Sequence, residues 1–245
     1  MSPLSSLAAA VALAFSAVPA FAQDASPWSL SGEIGLASDY VWHGVSQTQE
    51  DPTWHLVLET EHESGFFAGG EFWGVDFVPP GEDWDDGISY EANLYFGWSV
   101  ALGEQVTLNL DYTRTFYPGS KDDFDQDFNE FTAEFELGEN YVASVTWSDD
   151  AANLGHEGLY LGLAGTWDLG DSGFALGAAV GRYDIGSELG GAYNDYQVSL
   201  SRSFGPIAAR LSHINTSGYN DTLAESLGER HLAGSRTVLS LAYEF

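Results

Sequence analysis

The sequence predicts an all-β fold, a transmembrane antiparallel up-and-down β-barrel of about twelve strands, from three patterns. Apolar and polar residues alternate with a period of two along most of the chain beyond its N-terminal segment. Short and long connections alternate between these segments. The final segment is amphipathic in the same way and ends in phenylalanine. All three patterns are typical of chains that cross a bilayer with strands instead of helices.

The alternation is clearest in the segments 90–98 and 128–137. Tyr90 and Leu94 fall on one face of the first segment, whereas Glu91 falls on the other. In the second segment, glutamates alternate with large apolar residues. This alternation gives a strand one apolar face, whereas in a helix it would place glutamates on every side. The same reasoning predicts strands near 28–40, 54–62, 66–75, 89–99, 105–115, 128–137, 141–148, 158–168, 173–183, 194–203, 207–214 and 236–245.

The connections between these strands are sorted by length. Short turns are predicted at 63–65, 101–104, 138–140, 169–172 and 204–206, and long connections at 41–53, 76–88, 116–127, 149–157, 184–193 and 215–235. Outer-membrane barrels have short periplasmic turns and long external loops, whereas a soluble β-sandwich has no reason to sort its loops this way. The longest connection, 215–235, could fold inward as a constriction or plug.

Aromatic residues are predicted to form two girdles, one at each membrane interface. The girdle at the short-turn ends would contain Trp28, Phe66, Trp98, Phe135, Tyr141, Trp167 and Phe174. The girdle toward the long-loop ends would contain Tyr40, Trp42, Trp54, Phe72, Tyr90, Tyr112, Trp147, Tyr183 and Tyr196. Aliphatic residues between the two sets would form the lipid-facing band.

Both ends of the chain indicate export to the outer membrane of a Gram-negative cell. Residues 7–20 form an apolar stretch that ends in an A-x-A cleavage pattern at Ala22, so residues 1–22 are predicted to be a signal peptide and residues 23–245 the barrel domain. The last strand carries its apolar residues at alternate positions up to Phe245. It resembles the C-terminal signal read by the barrel-assembly machinery, a predicted partner beside the outer-membrane lipids.

Composition excludes several classes of function. Asp and Glu number 37 against 7 Lys and Arg, giving a formal net charge of -30. A nucleic-acid-binding protein needs clustered Lys and Arg, so nucleic acid is not expected as a partner. The chain has no cysteine, which excludes disulfides and thiolate metal sites.

The segment 32–47, GEIGLASDYVWHGVSQ, together with 63–77, ESGFFAGGEFWGVDF, resembles the opening of the proteobacterial TorF-type porin family, also called the Gcw-type family. Members typically show S-D-Y-x-x-R-G-x-S-Q followed by a G-F-Y-A-G segment. His43 stands here at the position of the motif's arginine. The resemblance implies an outer-membrane barrel over the whole mature chain and says little about a solute.

Strand parity predicts which side chains face the interior. The expected pore-lining residues are Glu33, Glu59, Glu61, Glu71, Glu91, Asn93, Asn109, Asp111, Glu130, Glu134, Glu136 and Arg210. The late strands carry small residues in the corresponding positions, between Ala175 and Gly181. A barrel of this size with one acidic wall is expected to pass small polar solutes and to favour cations weakly.

Two acidic connections are candidates for binding Ca²⁺, since clustered carboxylates and flexible glycines are typical of calcium sites. The candidate ligands are Asp83, Asp85, Asp86, Asp122, Asp123, Asp125 and Asp127. Neither connection has the spacing of an EF-hand, and solvated loop tips are the simpler interpretation. No other cofactor is expected.

Other functions stay open at this point. The histidines form no H-x-x-x-H or H-E-x-x-H pair and the chain has no G-x-S-x-G motif, so catalysis is not expected. A lipid hydrolase could still pair His213 with Ser38 on the lipid-facing wall. A non-conducting barrel that binds ions or ligands, and a soluble exported β-barrel or sandwich, are further alternatives.

Overall fold

The computed structural model describes residues 26–121 and 124–245. The predicted signal peptide lies outside the described residues. The strands are β1 (Trp28–Ala37), β2 (Val41–Trp42), β3 (Val45–Ser46), β4 (Thr53–His62), β5 (Phe66–Gly74), β6 (Tyr90–Ala101), β7 (Val106–Phe116), β8 (Phe128–Leu137), β9 (Tyr141–Ser148), β10 (Gly158–Asp168), β11 (Phe174–Asp184), β12 (Ala192–Phe204), β13 (Ile207–Ser217) and β14 (Arg236–Glu244). The one α-helix of this part of the chain is α1 (Asp221–Leu227).

Twelve of these strands close into a single antiparallel barrel, which confirms the predicted fold class. Each barrel strand pairs with its neighbours along the chain, and β1 pairs with both β4 and β14 to close the sheet. At the closure, Gly32 and Phe245 exchange two backbone hydrogen bonds of 2.9 Å. The strands β2 and β3 stand apart as a small separate hairpin within the connection from β1 to β4.

The outward face of the barrel is apolar. Leu30 is 72% exposed and Leu36 is 66% exposed, and large apolar side chains are exposed around the whole circumference. Such a surface is stable only where lipid covers it, because exposing this much apolar area to water costs a large amount of free energy. The fold is therefore a transmembrane β-barrel. Of the helices in the described residues, none is long and apolar enough to cross a membrane.

The girdle predicted at the short-turn ends lies on the outward face, with Trp28, Trp98 and Tyr141 about half exposed. The girdle at the long-loop ends is only partly as predicted. Tyr40 and Tyr183 are almost completely buried, and Trp42 packs against the same interior cluster. These three rings were wrongly placed because an aromatic residue near a strand end has the same local pattern whether it meets lipid or fills the mouth of the barrel.

Candidate functional site: the barrel interior

The predicted pore-lining residues all lie on the inward faces of their strands. Most of their acids belong to five adjacent strands, β4 to β8, which we call the acidic wall. Its members are Glu59, Glu61, Glu71, Glu91, Asp111, Glu130, Glu134 and Glu136. Beyond β9, the strands β10 to β12 carry mainly small side chains on their inward faces.

Neutral donors hold the carboxylates of the acidic wall. Glu91 accepts hydrogen bonds from the Tyr40 hydroxyl at 2.9 Å, the Tyr117 hydroxyl at 2.8 Å and Asn93 Nδ2 at 2.8 Å. The hydroxyl of Tyr95 donates to Glu59 at 3.1 Å. Hydrogen bonds of this kind fix the direction of a carboxylate without adding a compensating positive charge.

The same arrangement continues toward the short-turn end of the wall. The Asn109 amide donates to Glu134 Oε1 at 3.3 Å and to Glu136 Oε1 at 3.0 Å. Toward the long-loop end, the indole of Trp73 donates to Glu71 at 2.5 Å. Asn, Trp and Tyr are neutral donors, so these contacts add no basic partner to the acids.

Positive charge is scarce inside the barrel. Of the seven basic residues in the chain, only Arg210 and Arg236 lie on inward faces. Arg236 is already paired at the mouth, and His55 of β4 lies 3.0 Å from Glu33 of the adjacent strand β1. Arg210 is thus the one unpaired basic side chain on the inner faces of the described strands. The inward faces of the described strands therefore carry many more acidic than basic side chains.

A hairpin formed by residues 39–50 occupies the mouth of the barrel at the long-loop end, and we call it the plug hairpin. It begins after β1 and ends before β4, yet its tip contacts the opposite wall. The ring of His43 stacks on Tyr160 of β10 at 3.9 Å and lies 4.6 Å from the ring of Tyr183 on β11. Trp42 meets Phe128 of β8 at 6.0 Å. The hairpin therefore crosses the mouth and obstructs it.

Asp39 anchors the base of the plug hairpin. Its carboxylate accepts hydrogen bonds from the hydroxyl of Ser46 at 2.6 Å and of Thr48 at 2.8 Å. It also forms an ion pair of 3.0 Å with Arg236 of β14, and both side chains are less than 10% exposed. Arg236 lies 3.4 Å from Glu50 as well. A buried ion pair between the hairpin and the barrel wall holds the base in place.

Replacing Arg236 by Met is expected to destabilise the plug hairpin by about 3–5 kcal/mol, because the Asp39 carboxylate would stay buried without its cation. Hydrogen exchange at the amides of the hairpin measures the loss. The outward-facing Arg202, which lies 4.9 Å over the ring of Phe174, provides a matched control, Arg202→Met. Unchanged exchange at the hairpin in Arg236→Met would contradict the assignment of this pair as the anchor.

The tip of the plug hairpin is held by packing alone. His43 has a positive φ of 46°, and neither of its ring nitrogens has a hydrogen-bond partner among the described residues. Burial lowers its pKa to about 3, so the imidazole is neutral at ordinary pH. Next to it, a Cβ on Gly44 would lie 2.6 Å from Thr216 and 2.8 Å from the Cβ of Asp195. Only glycine lets the tip approach this closely.

The motif that carries the family resemblance builds this hairpin. Asp39 and Ser46 form the anchor, Tyr40 joins the hairpin to the acidic wall, and Gly44 allows the close approach. The backbone amide of Gln47 closes the base by donating to the carbonyl of Tyr40 at 2.8 Å. Sequence reasoning found the motif and missed its role, since nothing in a local pattern shows that a connection turns into the lumen.

The longest connection covers the plug hairpin from outside. It contains α1, whose first turn is capped by Asn220, and its Leu223 and Leu232 are buried against Val45 of the hairpin and Ile185 of the connection after β11. Residues 39–50 cross the mouth, and the connection 215–235, for which inward folding was a possibility, packs on top of them. An apolar cluster therefore packs around the hairpin at the long-loop end of the barrel.

The acidic loops show a different arrangement from the interior. Asp85 forms an ion pair of 2.7 Å with Lys121, and Asp127 forms one of 2.9 Å with Arg114. The hydrogen bond from Lys121 lowers the pKa of Asp85. No group of three or more His, Cys, Asp or Glu residues is placed to hold a metal ion in the ranges 26–121 and 124–245. Asp122 and Asp123 lie outside the described residues, and Ca²⁺ binding stays a prediction.

Comparison with known proteins agrees with the fold. The KdgM porin in complex with disordered oligogalacturonate is 8% identical, with 88% of this chain and 98% of that chain covered and a TM-score of 0.51. The NanC porin is 9% identical, with 89% and 99% covered and a TM-score of 0.53. At such identities the similarity shows the fold alone. No curated protein matches the chain.

The closed twelve-stranded barrel and its apolar outer wall define a transmembrane β-barrel that has the fold of outer-membrane porins. Within that class, the chain belongs to a family described as bacterial protein of unknown function (Gcw_chp), whose model matches residues 21–245. This confirms the Gcw-type resemblance of the sequence.

Proposed function

We propose that this protein is an outer-membrane channel for small polar solutes and that the channel favours cations. The plug hairpin closes the channel at its outer mouth. The observation that carries the proposal is the acidic wall, in which neutral donors orient the carboxylates. Inside a barrel, such a wall raises the local concentration of cations and lowers that of anions. The proposed partners of its apolar outer face are the lipids of the outer membrane.

The test is the reversal potential of the refolded protein in a planar bilayer with a salt gradient across it. The measurement is made on the wild type and on a variant that lacks the tip of the plug hairpin, so that a closed lumen is not mistaken for a non-selective one. A cation-biased reversal potential is expected. An anion-biased potential would contradict the selectivity, and a folded, tipless barrel without conductance would contradict the channel.

Neutralising three acids that are only half-buried, by the combined change Glu61→Gln, Asp111→Asn and Glu136→Gln, should reduce the cation preference. A charge about 10 Å from a permeating ion contributes roughly 0.4 kcal/mol in water, with opposite signs for a cation and an anion. Removing three charges changes the difference between the two ions by about 2.4 kcal/mol, so the cation-to-anion ratio should fall roughly 60-fold. The control removes the same charge from the short turns, as Glu63→Gln, Glu104→Gln and Glu139→Gln. Equal effects of the two triples would contradict a role for the wall.

The closing strand supports a further part of the proposal, which is recognition by the barrel-assembly machinery. β14 pairs with β13 and β1, and its apolar face points outward up to Tyr243 and Phe245. Removal of Phe245 is expected to lower the amount of heat-modifiable barrel in the outer membrane. Refolding of the same variant in detergent serves as the control, because a loss there would indicate a defect in stability instead of recognition.

A further inference from the structure

A histidine and two hydroxyl side chains meet on the outer wall of the barrel, where β13 and β14 pair. His213 Nε2 lies 3.2 Å from the hydroxyl of Ser235, and its Nδ1 lies 3.1 Å from the hydroxyl of Thr237. All three residues are exposed. A serine becomes a nucleophile when a base lies within hydrogen-bond distance and a third group orients that base.

This group lies at the edge of the apolar belt. Along the outward face of β13, Ile207 and Leu211 are exposed apolar residues, whereas His213 and the outward positions after it are polar. On β14, Leu239 is the last exposed apolar residue before Thr237. The change occurs at the long-loop end, the outer side of such barrels. Acyl chains end and lipid ester groups begin at this depth.

We propose that Ser235, His213 and Thr237 form a lipid-facing acyl-ester hydrolase site. The substrate class is a carboxylic ester of a membrane lipid, carried either by a glycerophospholipid or by the acylated sugar of lipopolysaccharide. Exposed Val198, Leu211 and Leu239 surround the group and provide a surface for the acyl chain. The site is on the outside of the wall, so it is independent of the lumen and of the proposed channel.

The chemistry follows from the two ring nitrogens. With its proton on Nδ1, His213 donates to Thr237 and accepts the proton of Ser235 through Nε2 as the serine oxygen bonds to the ester carbonyl carbon. The tetrahedral intermediate expels the lipid alcohol, which takes the proton back from Nε2. Water then attacks the acyl-serine with the same base and releases a free fatty acid and the original serine. Threonine stabilises the imidazolium less than a carboxylate would, so slow turnover is expected.

The structure replaces the partner that the sequence indicated for His213. The hydroxyl of Ser38 accepts a hydrogen bond from the backbone amide of Leu239 at 3.0 Å, at the end of the pairing between β1 and β14. Ser235, the residue just before β14, takes the position next to the histidine instead. Ser38 is therefore a natural control, an outward-facing serine at a similar height that makes no bond to the base.

The first experiment is active-site labelling of the full chain, refolded in mixed lipid and detergent micelles, with a fluorophosphonate probe. We expect mass spectrometry to find the adduct on Ser235. Removing the base by His213→Gln should slow labelling about 100-fold or more, and Ser235→Ala should abolish it, while Ser38→Ala leaves it unchanged. An adduct on another serine, or equal labelling in wild type and His213→Gln, would overturn the proposal.

The second experiment measures fatty-acid release from two substrates, vesicles of phosphatidylethanolamine and vesicles containing lipopolysaccharide. Release that exceeds the rate of Ser235→Ala on either substrate supports the site and identifies the lipid source. Heat-modifiability shows that each variant is folded. Release at the rate of Ser235→Ala from both substrates would overturn the proposal. Bilayer conductance of Ser235→Ala should equal that of wild type, which keeps this test separate from the test of the channel.

Discussion

Replacing residues 41–46 by a two-residue glycine turn is expected to open the barrel and to produce the largest change in conductance of any short deletion. The deletion removes Trp42, His43 and Val45, whose packing against the opposite wall closes the mouth. It removes β2, β3 and Ser46 but keeps the twelve barrel strands and the ion pair between Asp39 and Arg236. Single-channel recording should show rare or no openings for the wild type and long open states for the variant.

The control for this deletion shortens an outer loop that does not enter the lumen. Residues 81–85 are exposed, so removing them changes loop length without changing the mouth. If both deletions leave conductance at the wild-type level while the barrels remain heat-modifiable, the plug hairpin is not the barrier. The obstruction would then lie deeper, at the packed part of the acidic wall.

A reversible version of the same experiment uses a disulfide. The chain contains no cysteine, so Gly44→Cys with Asp195→Cys introduces a single pair. A Cβ at position 44 lies 2.8 Å from that of Asp195, and a disulfide needs about 3.5–4.5 Å, so the tip must shift by about 1 Å. At pH 5, where the plug hairpin is expected to open, the oxidised form should stay closed and the reduced form should conduct. Conductance through the oxidised form would contradict the gate.

Acidification is expected to open the plug hairpin. Burial lowers the pKa of His43 to about 3 from its ordinary value near 6.5, so the closed state holds the neutral imidazole while an open state exposed to water would bind a proton below pH 6.5. The contribution of His43 to the stability of the closed state is fully present above that pH and is lost progressively as pH falls toward 3. The equilibrium should shift toward open by about tenfold per pH unit across this window.

The measurement is the open probability between pH 7 and pH 4, where His43→Gln provides the control. Any other group that titrates in this range acts equally in both proteins, so the neutral variant shows how much of the effect belongs to such groups. The slope between pH 6.5 and 5 should be strongly reduced in His43→Gln. Identical profiles for the two proteins would show that His43 does not sense pH.

Local patterns determined most of the barrel. Alternation with a period of two is a property of neighbouring residues, so strands such as 128–137 and 141–148 were predicted at their observed ends. Parity then placed Glu91, Glu134 and Arg210 on the inward face without knowledge of the closure. The sorted connections and the final amphipathic strand gave the transmembrane class by the same local reasoning.

Only the tertiary structure decided what fills the mouth and what lies beside each polar group. Asp39 and Arg236 are separated by 197 positions in the sequence, and closure of β1 onto β14 brings them together. The choice of Ser235 over Ser38 as the neighbour of His213 depends on the register between β13 and β14. Contacts of this kind follow from how distant strands pair, and no periodicity within one segment carries that information.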